Sequence, residues 1–307
     1  MTVMLAVKTM ALIDKMMFAD QGAAFRVAQG QVMPHMTDAY RGADEGFRSH
    51  LGASMIGRTC GREIWYGWRW AKKGKHPARI LRLFNRGHLE EARFIAMLLS
   101  VGIQVFQQDG NGNQYRISDV GGHFGGSGDG IGLGIPDIPE GAQCLLEFKT
   151  HGDSSFTKLK KSGVREAKFE HYVQMNVYMK KMGLYYALYG AVNKNTDEVY
   201  FEIILFDNHT ASEFLDRGRT IIMMQTAPPR LPRASTTLYG CAYCDYQDHC
   251  LTGKALDVNC RTCYFAHPQE TGGWICKSKD AQLQAPSLAD DLPKSLQLTG
   301  CKHHTPI

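Results

Sequence analysis

The sequence predicts an α/β protein with a central mixed sheet flanked by helices, followed by a small cysteine-rich metal-binding module. Helical periodicity alternates with short apolar strands between residues 80 and 225, in a chain of 307 residues that is long enough to bury a core. After residue 232 the sequence changes to short, loop-rich segments that hold most of the cysteines. We therefore predict a core over residues 1–232, a cysteine segment over 233–257 and a metal-binding tail over 258–307.

The predicted elements follow from local patterns taken in chain order. Residues 1–50 look mainly helical, and the apolar spacing in "ILRLFNRGHLEEARFIAMLLSVGI" predicts a helix that starts near Asn85 and ends at Gly102. Strands are predicted in "YRISD", in the glycine-rich "GGHFGGSGDGIGLG" and in "QCLLEFK". The remaining elements are a helix from about Val164 to Met182, strands in "LYYALYGAV" and "VYFEIILFD" joined by a turn near Asn195, and a helix from about Ala211 to Gln225.

Charge and N-terminal composition narrow the class of protein. The first twenty residues contain Lys8, Asp14 and Lys15, so we expect neither a signal peptide nor a membrane span, and we expect a cytoplasmic location. Ten Lys or Arg residues face three Glu residues between Arg58 and Arg93. Such an excess suits a polyanionic partner, although a run of charge is also typical of a solvated face.

The stretch "CLLEFKT" at residues 144–150 places two charges in an apolar strand. Glu147 and Lys149 project to one side of an extended strand, because side chains alternate. Buried charges need a partner, and an ion pair on an edge strand is the simplest one. If the strands pair as a hairpin, however, Asp129 of "GGSGDG" meets Glu147 at one end of the sheet. Two carboxylates and a lysine are what metal-dependent phosphodiester hydrolysis requires.

This arrangement resembles the PD-(D/E)XK nuclease superfamily. Asp129 corresponds to its leading aspartate and "EFK" to its ExK element, whereas the proline of the family pattern is absent before Asp129. Gln174 and Tyr178 match the QxxxY element of the RecB-like branch, and they share a helix face at i and i+4.

A GxxxE element of the same branch matches Gly87 and Glu91, and His88 beside them is an alternative metal ligand. The spacing of His88 and Glu91 suggests that only one of them faces the site, and we favour Glu91. The resemblance implies a restriction-endonuclease-like core in which Asp129 and Glu147, with Glu91 or His88, bind Mg²⁺ or Mn²⁺. It further implies that Lys149 orients the attacking water and that Gln174 and Tyr178 position the substrate.

Nine cysteines without a secretory signal indicate metal binding rather than disulfides. Cys241, Cys244 and Cys250 leave a metal centre one ligand short, and Cys60 is the candidate for the fourth. One early and three late cysteines resemble the iron–sulfur RecB-like nucleases, including the CRISPR-associated adaptation nuclease and the AddB family. That resemblance implies a structural [4Fe–4S] cluster which ties the C-terminal segment to the N-terminal helices. Zinc and an unmetallated site are the alternatives.

Cys144 belongs to neither group and is expected to be a small core residue. A second cysteine group follows in the tail. This group consists of Cys260, Cys263, Cys276 and Cys301, with His267, His303 and His304 as spare ligands. Its CxxC with a third cysteine resembles half of a zinc ribbon. We predict a Cys₄ zinc knuckle, with a histidine in place of Cys301 as the alternative.

Together these features predict a metal-dependent DNA exonuclease of phage or bacterial recombination or repair. The expected partners are linear duplex or single-stranded DNA and a single-strand annealing protein, with the host cytoplasm as the location if a phage encodes the chain. The P-loop GxxxxGK[ST] is absent, so the protein would act without its own motor. The alternatives are a non-catalytic iron–sulfur or zinc DNA-binding protein, an endonuclease, and an RNA-processing nuclease of the same fold.

Overall fold

The structure, a computed structural model, describes residues 3–40, 42 and 47–307. Its α-helices are α1 (Val7–Ala19), α2 (Ala23–Val32), α3 (Thr37–Tyr40), α4 (Ala53–Ile56), α5 (Gly61–Trp68), α6 (Ala78–Ser100), α7 (Asp153–Ala167), α8 (Phe169–Met182), α9 (Asn208–Met223), α10 (Tyr239–Ala242), α11 (Gln247–Thr252), α12 (Lys279–Gln284) and α13 (Lys294–Gln297). Its strands are β1 (Leu51–Gly52), β2 (Gln104–Phe106), β3 (Arg116–Asp119), β4 (Phe124–Ser127), β5 (Gly130–Leu133), β6 (Gln143–His151), β7 (Tyr186–Asn193), β8 (Val199–Leu205), β9 (Ala266–Pro268) and β10 (Trp274–Cys276).

The chain divides into two compact units that each draw on several segments. Unit 1 consists of Met1–Ala43, His76–Ile117 and Ser127–Ser212, and unit 2 of Asp44–Lys75, Ser118–Gly126 and Glu213–Ile307. Cys60 and the late cysteines therefore all belong to unit 2. All the residues predicted for hydrolysis belong to unit 1.

Unit 1 is built on a five-stranded mixed sheet of order β2-β5-β6-β7-β8. The pair β6 and β7 is parallel and the other pairs are antiparallel. A parallel pair needs a crossover connection, and here it contains α7 and α8. The mixed sheet flanked by helices confirms the predicted α/β class.

The core of unit 1 shows why β6 alternates as it does. Cys144, Leu146 and Phe148 project to one face and pack with apolar residues of α1, α2 and α6. Phe94 of α6 stacks on Phe148 with ring centroids 4.8 Å apart. The odd-numbered residues of β6 face α8 instead, so that both faces of the strand are covered.

Two predicted helices differ from the observed ones. Helix α6 begins at Ala78, directly after Pro77, and not near Asn85. Its first turns carry apolar residues at helical spacing, but Leu81 and Phe84 are exposed to solvent. The single helix predicted from Val164 is also wrong: α7 begins earlier, at Asp153, and is broken by Gly163 with φ 72°.

Unit 2 contains short elements. One small sheet has the strand order β1-β4-β3, in which β1 and β4 are parallel, and β9 and β10 form a second, antiparallel pair. The second half of β3 belongs to this unit. A 3₁₀ turn over Cys260–Thr262 carries the first CxxC of the tail, and the Asn259 side chain caps this turn by accepting from the Thr262 N–H. No helix in the described part of the chain is long and apolar enough to cross a membrane.

Candidate functional site

Glu147 and Lys149 lie on the central strand of unit 1. Since β6 pairs with β5 on one side and β7 on the other, the edge-strand ion pair considered from the sequence is wrong in its location. Glu147 is 0% exposed, and its Oε1 accepts from Lys149 Nζ. A fully buried carboxylate in mid-sheet is costly, which indicates a role other than an ordinary surface pair.

Asp129 lies beside this pair, at the turn between β4 and β5. Gly130 has φ 147°, a backbone conformation that side-chain-bearing residues rarely adopt, and it pairs with Leu146 of β6. This register brings Asp129 to the level of Glu147. Its Oδ2 accepts from the backbone N–H of Phe148 at 2.7 Å. The hairpin assumed from the sequence is thus the one that forms.

Helix α8 supplies the next partner of Glu147. The Nε2 atom of Gln174 donates to both carboxylate oxygens of Glu147, at 2.9 and 3.0 Å. Gln174 therefore holds the carboxylate in one orientation. Tyr178 lies one turn further along the same helix and is buried.

Helix α6 completes a cavity of about 380 Å³ in unit 1. The sequence suggested that only one of His88 and Glu91 faces the site, yet both line this cavity, as do Asp129 and Lys149. Helix α6 also carries two exposed apolar side chains near its start: Phe84, which lines the cavity, is 48% exposed, and Leu81 on the same helix is 53% exposed.

The site holds three carboxyl groups and one ammonium group. Burial, and then repulsion by Asp129 and Glu147, raises the pKa of Glu91 to about 9. Burial raises the pKa of Glu147 to about 7 even though Lys149 opposes the shift, and burial also raises the pKa of Asp129. Burial lowers the pKa of Lys149, but Glu147 and Asp129 outweigh it and raise that pKa overall. Without a bound cation, Glu91 therefore keeps its proton at pH 7, and Lys149 is the one cation among these four groups.

Two histidines and a tyrosine lie behind Lys149, and the sequence interpretation missed them. Tyr189 Oη is 2.8 Å from His151 Nε2 and 2.9 Å from His171 Nδ1. Burial and then nearby lysines lower the pKa of His151 to about 4, and burial, Lys149 and His151 lower that of His171 still further. Both histidines are therefore neutral at pH 7. Their spacing could have found them, because His151 follows Lys149 by two on β6 and His171 precedes Gln174 by three on α8.

The donor set suits a hard divalent cation, although the side chains are engaged with one another. Within residues 3–40, 42 and 47–307 no three His, Cys, Asp or Glu side chains stand in an arrangement that could hold a metal ion. Glu147 is held by Lys149 and Gln174, and Asp129 by a backbone N–H. Carboxylate oxygens are the ligands that Mg²⁺ and Mn²⁺ prefer. Ion binding would thus require Glu91 to ionise and these side chains to turn toward the cavity.

The first cysteine group lines one small cavity in unit 2. Cys60, Cys241, Cys244 and Cys250 all border a space of about 20 Å³. Cys60 precedes α5 as its N-cap residue, where its Sγ accepts from the Glu63 N–H at 3.4 Å. Burial first, and neighbouring thiols and acids after it, raises the pKa of Cys244 to about 11. The four thiols match a tetrathiolate centre in number and kind, although no three of these described side chains stand in an arrangement that could hold a metal ion.

The second cysteine group lines another cavity of about 20 Å³ in the same unit. Its four cysteines are those predicted from the sequence, Cys260, Cys263, Cys276 and Cys301, and His303 and His304 border the same space. Burial and then the three other thiols raise the pKa of Cys260 to about 12. His267 does not line this cavity and lies on β9.

No protein-family profile matches the chain, and no curated protein matches it. Among solved structures, SSO0001 aligns with a TM-score of 0.41 and 13% identity over 76% of this chain and 98% of its own. The alkaline exonuclease LHK-Exo from Laribacter hongkongensis, also solved in complex with dAMP, aligns with a TM-score of 0.40 and 16% identity over 56% of this chain and 86% of its own. Likenesses of this size are too weak to identify an activity, so the function must be argued from the site itself.

Proposed function

We propose that unit 1 is a metal-dependent deoxyribonuclease of the PD-(D/E)XK type, in the RecB-like branch, and that it acts as an exonuclease. One observation carries the proposal: Glu91, Asp129 and Lys149 line one cavity, and the buried Glu147 is paired with Lys149 behind it, so that three carboxyl groups share a single ammonium group. A divalent cation would supply the missing positive charge. An ion pair that only stabilised the fold would not need the two further carboxyl groups.

The chain's own residues can divide the work of phosphodiester hydrolysis. Asp129 and Glu147, with Glu91 and His88 beside them, would hold Mg²⁺ or Mn²⁺, which would polarise the phosphate and lower the pKa of bound water. The Lys149 side chain is 28% exposed and lines the cavity, so its ammonium group can orient a water or stabilise negative charge on the phosphate. Gln174 keeps the Glu147 carboxylate in place, and Tyr178 on the same helix face would support substrate position.

The mouth of the cavity supports a nucleic-acid end as the substrate. Leu81 and Phe84 are exposed on α6 among three exposed arginines of the same helix, Arg79, Arg82 and Arg86. Arginines neutralise backbone phosphates, and exposed apolar or aromatic side chains stack on unpaired bases. This combination suits a frayed strand end that enters the cavity.

The test is nucleotide release from end-labelled linear double- and single-stranded DNA with Mg²⁺ or Mn²⁺, with a covalently closed circle alongside. We expect linear DNA to be degraded only with metal, the circle to be spared, and Lys149→Ala to abolish release. Lys160→Ala is the matched control, because Lys160 is an exposed lysine of α7 paired with Glu198. Cleavage of the circle would indicate an endonuclease, and cleavage of RNA alone an RNA-processing enzyme. No cleavage by folded protein would leave a non-catalytic binding protein.

The first cysteine group is proposed to hold a structural metal centre. The resemblance implies [4Fe–4S], and a single zinc ion held by the same four thiols is the alternative; either would require the thiols to rearrange around the metal. Iron, sulfide and zinc analysis after anaerobic purification separates the two. A brown protein that absorbs near ~400 nm and holds about four irons supports the cluster, and a colourless protein with zinc at Cys241 would exclude it.

A further inference from the structure

Two arginines are buried side by side in unit 2 among all four tryptophans of the chain. Arg69 is 0% and Arg261 2% exposed. The Cζ atom of Arg261 lies 3.8 to 4.8 Å from the ring centroids of three tryptophans, and that of Arg69 lies 5.2 and 5.5 Å from two. The four are Trp65, Trp68, Trp70 and Trp274. We call these six residues the arginine–tryptophan box.

The described residues provide no carboxylate partner for either arginine. Arg261 donates to the carbonyl oxygens of Trp68 and Ser49 and to the side-chain oxygen of Gln297. All of the acceptors of Arg69 are also neutral, and its Nε has none. Arginine stays charged in proteins, so two positive charges are buried here. Aromatic faces and carbonyl oxygens compensate such charges only in part.

The box is in direct contact with the turn that carries the first CxxC of the tail. Nη1 of Arg69 donates to the carbonyl oxygens of Arg261 and Ala266, at 3.3 and 3.1 Å, which brackets Cys263. Burial lowers the pKa of Arg69 to about 10, and the Cys263 thiol acts in the opposite direction. Arg261 itself lies between Cys260 and Cys263. The four cysteines of this group line one cavity, and because no three of these described side chains are arranged to hold a metal ion, zinc uptake would require them to turn toward it.

We propose that a Zn²⁺ ion bound by Cys260, Cys263, Cys276 and Cys301 as thiolates is the counter-charge of Arg69 and Arg261. Zinc uptake by four thiols releases four protons and leaves a centre of charge −2, which matches two guanidinium groups. A centre with three thiolates and one histidine carries only −1. The two histidines of the cavity also have other partners: His304 Nε2 is 3.2 Å from Thr262 Oγ1, and His303 Nε2 is 3.0 Å from Gln284 Nε2. This charge balance selects Cys301 as the fourth ligand.

The inference does not depend on nuclease activity, because every residue that it uses lies in unit 2. If zinc is the counter-charge of the two arginines, zinc binding stabilises the packing of the arginine–tryptophan box, and that packing in turn strengthens zinc binding. Since all four tryptophans belong to the box, intrinsic fluorescence reports on it without a label.

The test uses the full chain, stripped of metal with a chelator and titrated with Zn²⁺ in competition with a chromophoric chelator. We expect Zn²⁺ to change the tryptophan emission in wild type and in Cys244→Ser, and to change it little in Cys263→Ser and Cys301→Ser. Arg69→Met and Arg261→Met should each weaken zinc affinity by about 10- to 100-fold, which is typical of residues that support metal ligands. Arg219→Met is the matched control, because Arg219 is an exposed arginine of unit 2 paired with Glu270.

A double-mutant cycle keeps the test decisive if a single variant folds poorly. Cys301→His retains four ligands but reduces the charge to −1, so it should weaken binding less in the Arg69→Met background than in wild type. Equal zinc affinity of wild type and both arginine variants would overturn the proposal. Retention of zinc by Cys301→Ser with loss in His303→Ala or His304→Ala would overturn it as well. Asp44 and Glu45 lie outside the described residues, and loss of zinc-independent stability in Asp44→Asn or Glu45→Gln would assign the counter-charge to an acid instead.

Discussion

The two units bury charges of opposite sign, and in each unit the buried charges outnumber the opposite charges around them. In unit 1 three carboxyl groups share one lysine beside an open cavity, and in unit 2 two arginines lie among tryptophans without an acid among the described residues. The excess of carboxyl groups in unit 1 predicts a cationic ligand, and the excess of guanidinium groups in unit 2 predicts an anionic one. The open cavity of unit 1 suits an exchangeable cation and a substrate, whereas the buried arginine–tryptophan box of unit 2 suits a permanent anionic centre. Solvent access to the unpaired charge therefore separates a reactive site from a structural one.

The largest effect is expected from removing a charge on the closed side. In zinc-loaded protein, Arg261→Met should lower the free energy of unfolding by about 3–5 kcal/mol, because it leaves a buried −2 centre half compensated. In metal-stripped protein the same change should cost far less, since the arginine is then itself uncompensated. Chemical denaturation of both forms measures the difference. Equal costs with and without zinc would remove the charge argument for unit 2.

On the open side, loss of one carboxylate should affect activity rather than folding. Asp129→Asn keeps the shape of the side chain, and its Oδ atom can still accept from the Phe148 N–H. We expect nucleotide release to fall by about 10²–10³-fold, as when one electrostatic contact to a reacting group is removed. Thermal unfolding should change little, because the substitution keeps that hydrogen bond and removes only one of three carboxyl groups that repel one another. A large loss of stability with retained activity would make Asp129 a structural residue.

A smaller effect is expected from the residue that only positions Glu147. Gln174→Ala removes two hydrogen bonds to a buried carboxylate, and bonds to charged groups contribute about 1.5–3 kcal/mol. Activity should fall by about tenfold or more, with recovery in Gln174→Asn only if the shorter amide reaches Glu147. Restoring part of the activity with higher Mn²⁺ would support a role in metal-ligand position.

Sequence patterns predicted the site better than its surroundings. The alternation in "CLLEFKT" and the turn before Gly130 placed Asp129, Glu147 and Lys149, because strand period and turn chemistry are local properties. The start of α6 was missed although Ile80, Leu83 and Phe84 continue the apolar period, and the break at Gly163 depends on a positive φ that the sequence alone does not reveal. The arginine–tryptophan box could not be predicted, because Arg69 and Arg261 are far apart in the chain and each resembles a surface residue. Only packing makes them neighbours.

The smallest predicted effect is a pH dependence that distinguishes the deficit of unit 1 from ordinary acid titration. The pKa of Glu91 is raised to about 9 in the folded protein from an ordinary value of 4.5. Without metal, the folded state keeps a proton that the unfolded state releases, so stability is full below about pH 4.5 and is lost as the pH rises through 9. Glu91→Gln cannot ionise and should unfold at a higher temperature than wild type at pH 9, by about 2–4 °C for each kcal/mol of stability that wild type loses. The two proteins should converge at acidic pH, and saturating Mg²⁺ should reverse the trend for wild type because the cation stabilises the ionised carboxylate. Glu198→Gln, at an exposed carboxylate of the same unit, should show no such difference. A wild-type protein whose metal-free stability did not fall between pH 7 and 9 would mean that Glu91 already has a cationic partner, and the charge deficit of the cavity would then be smaller than the geometry indicates.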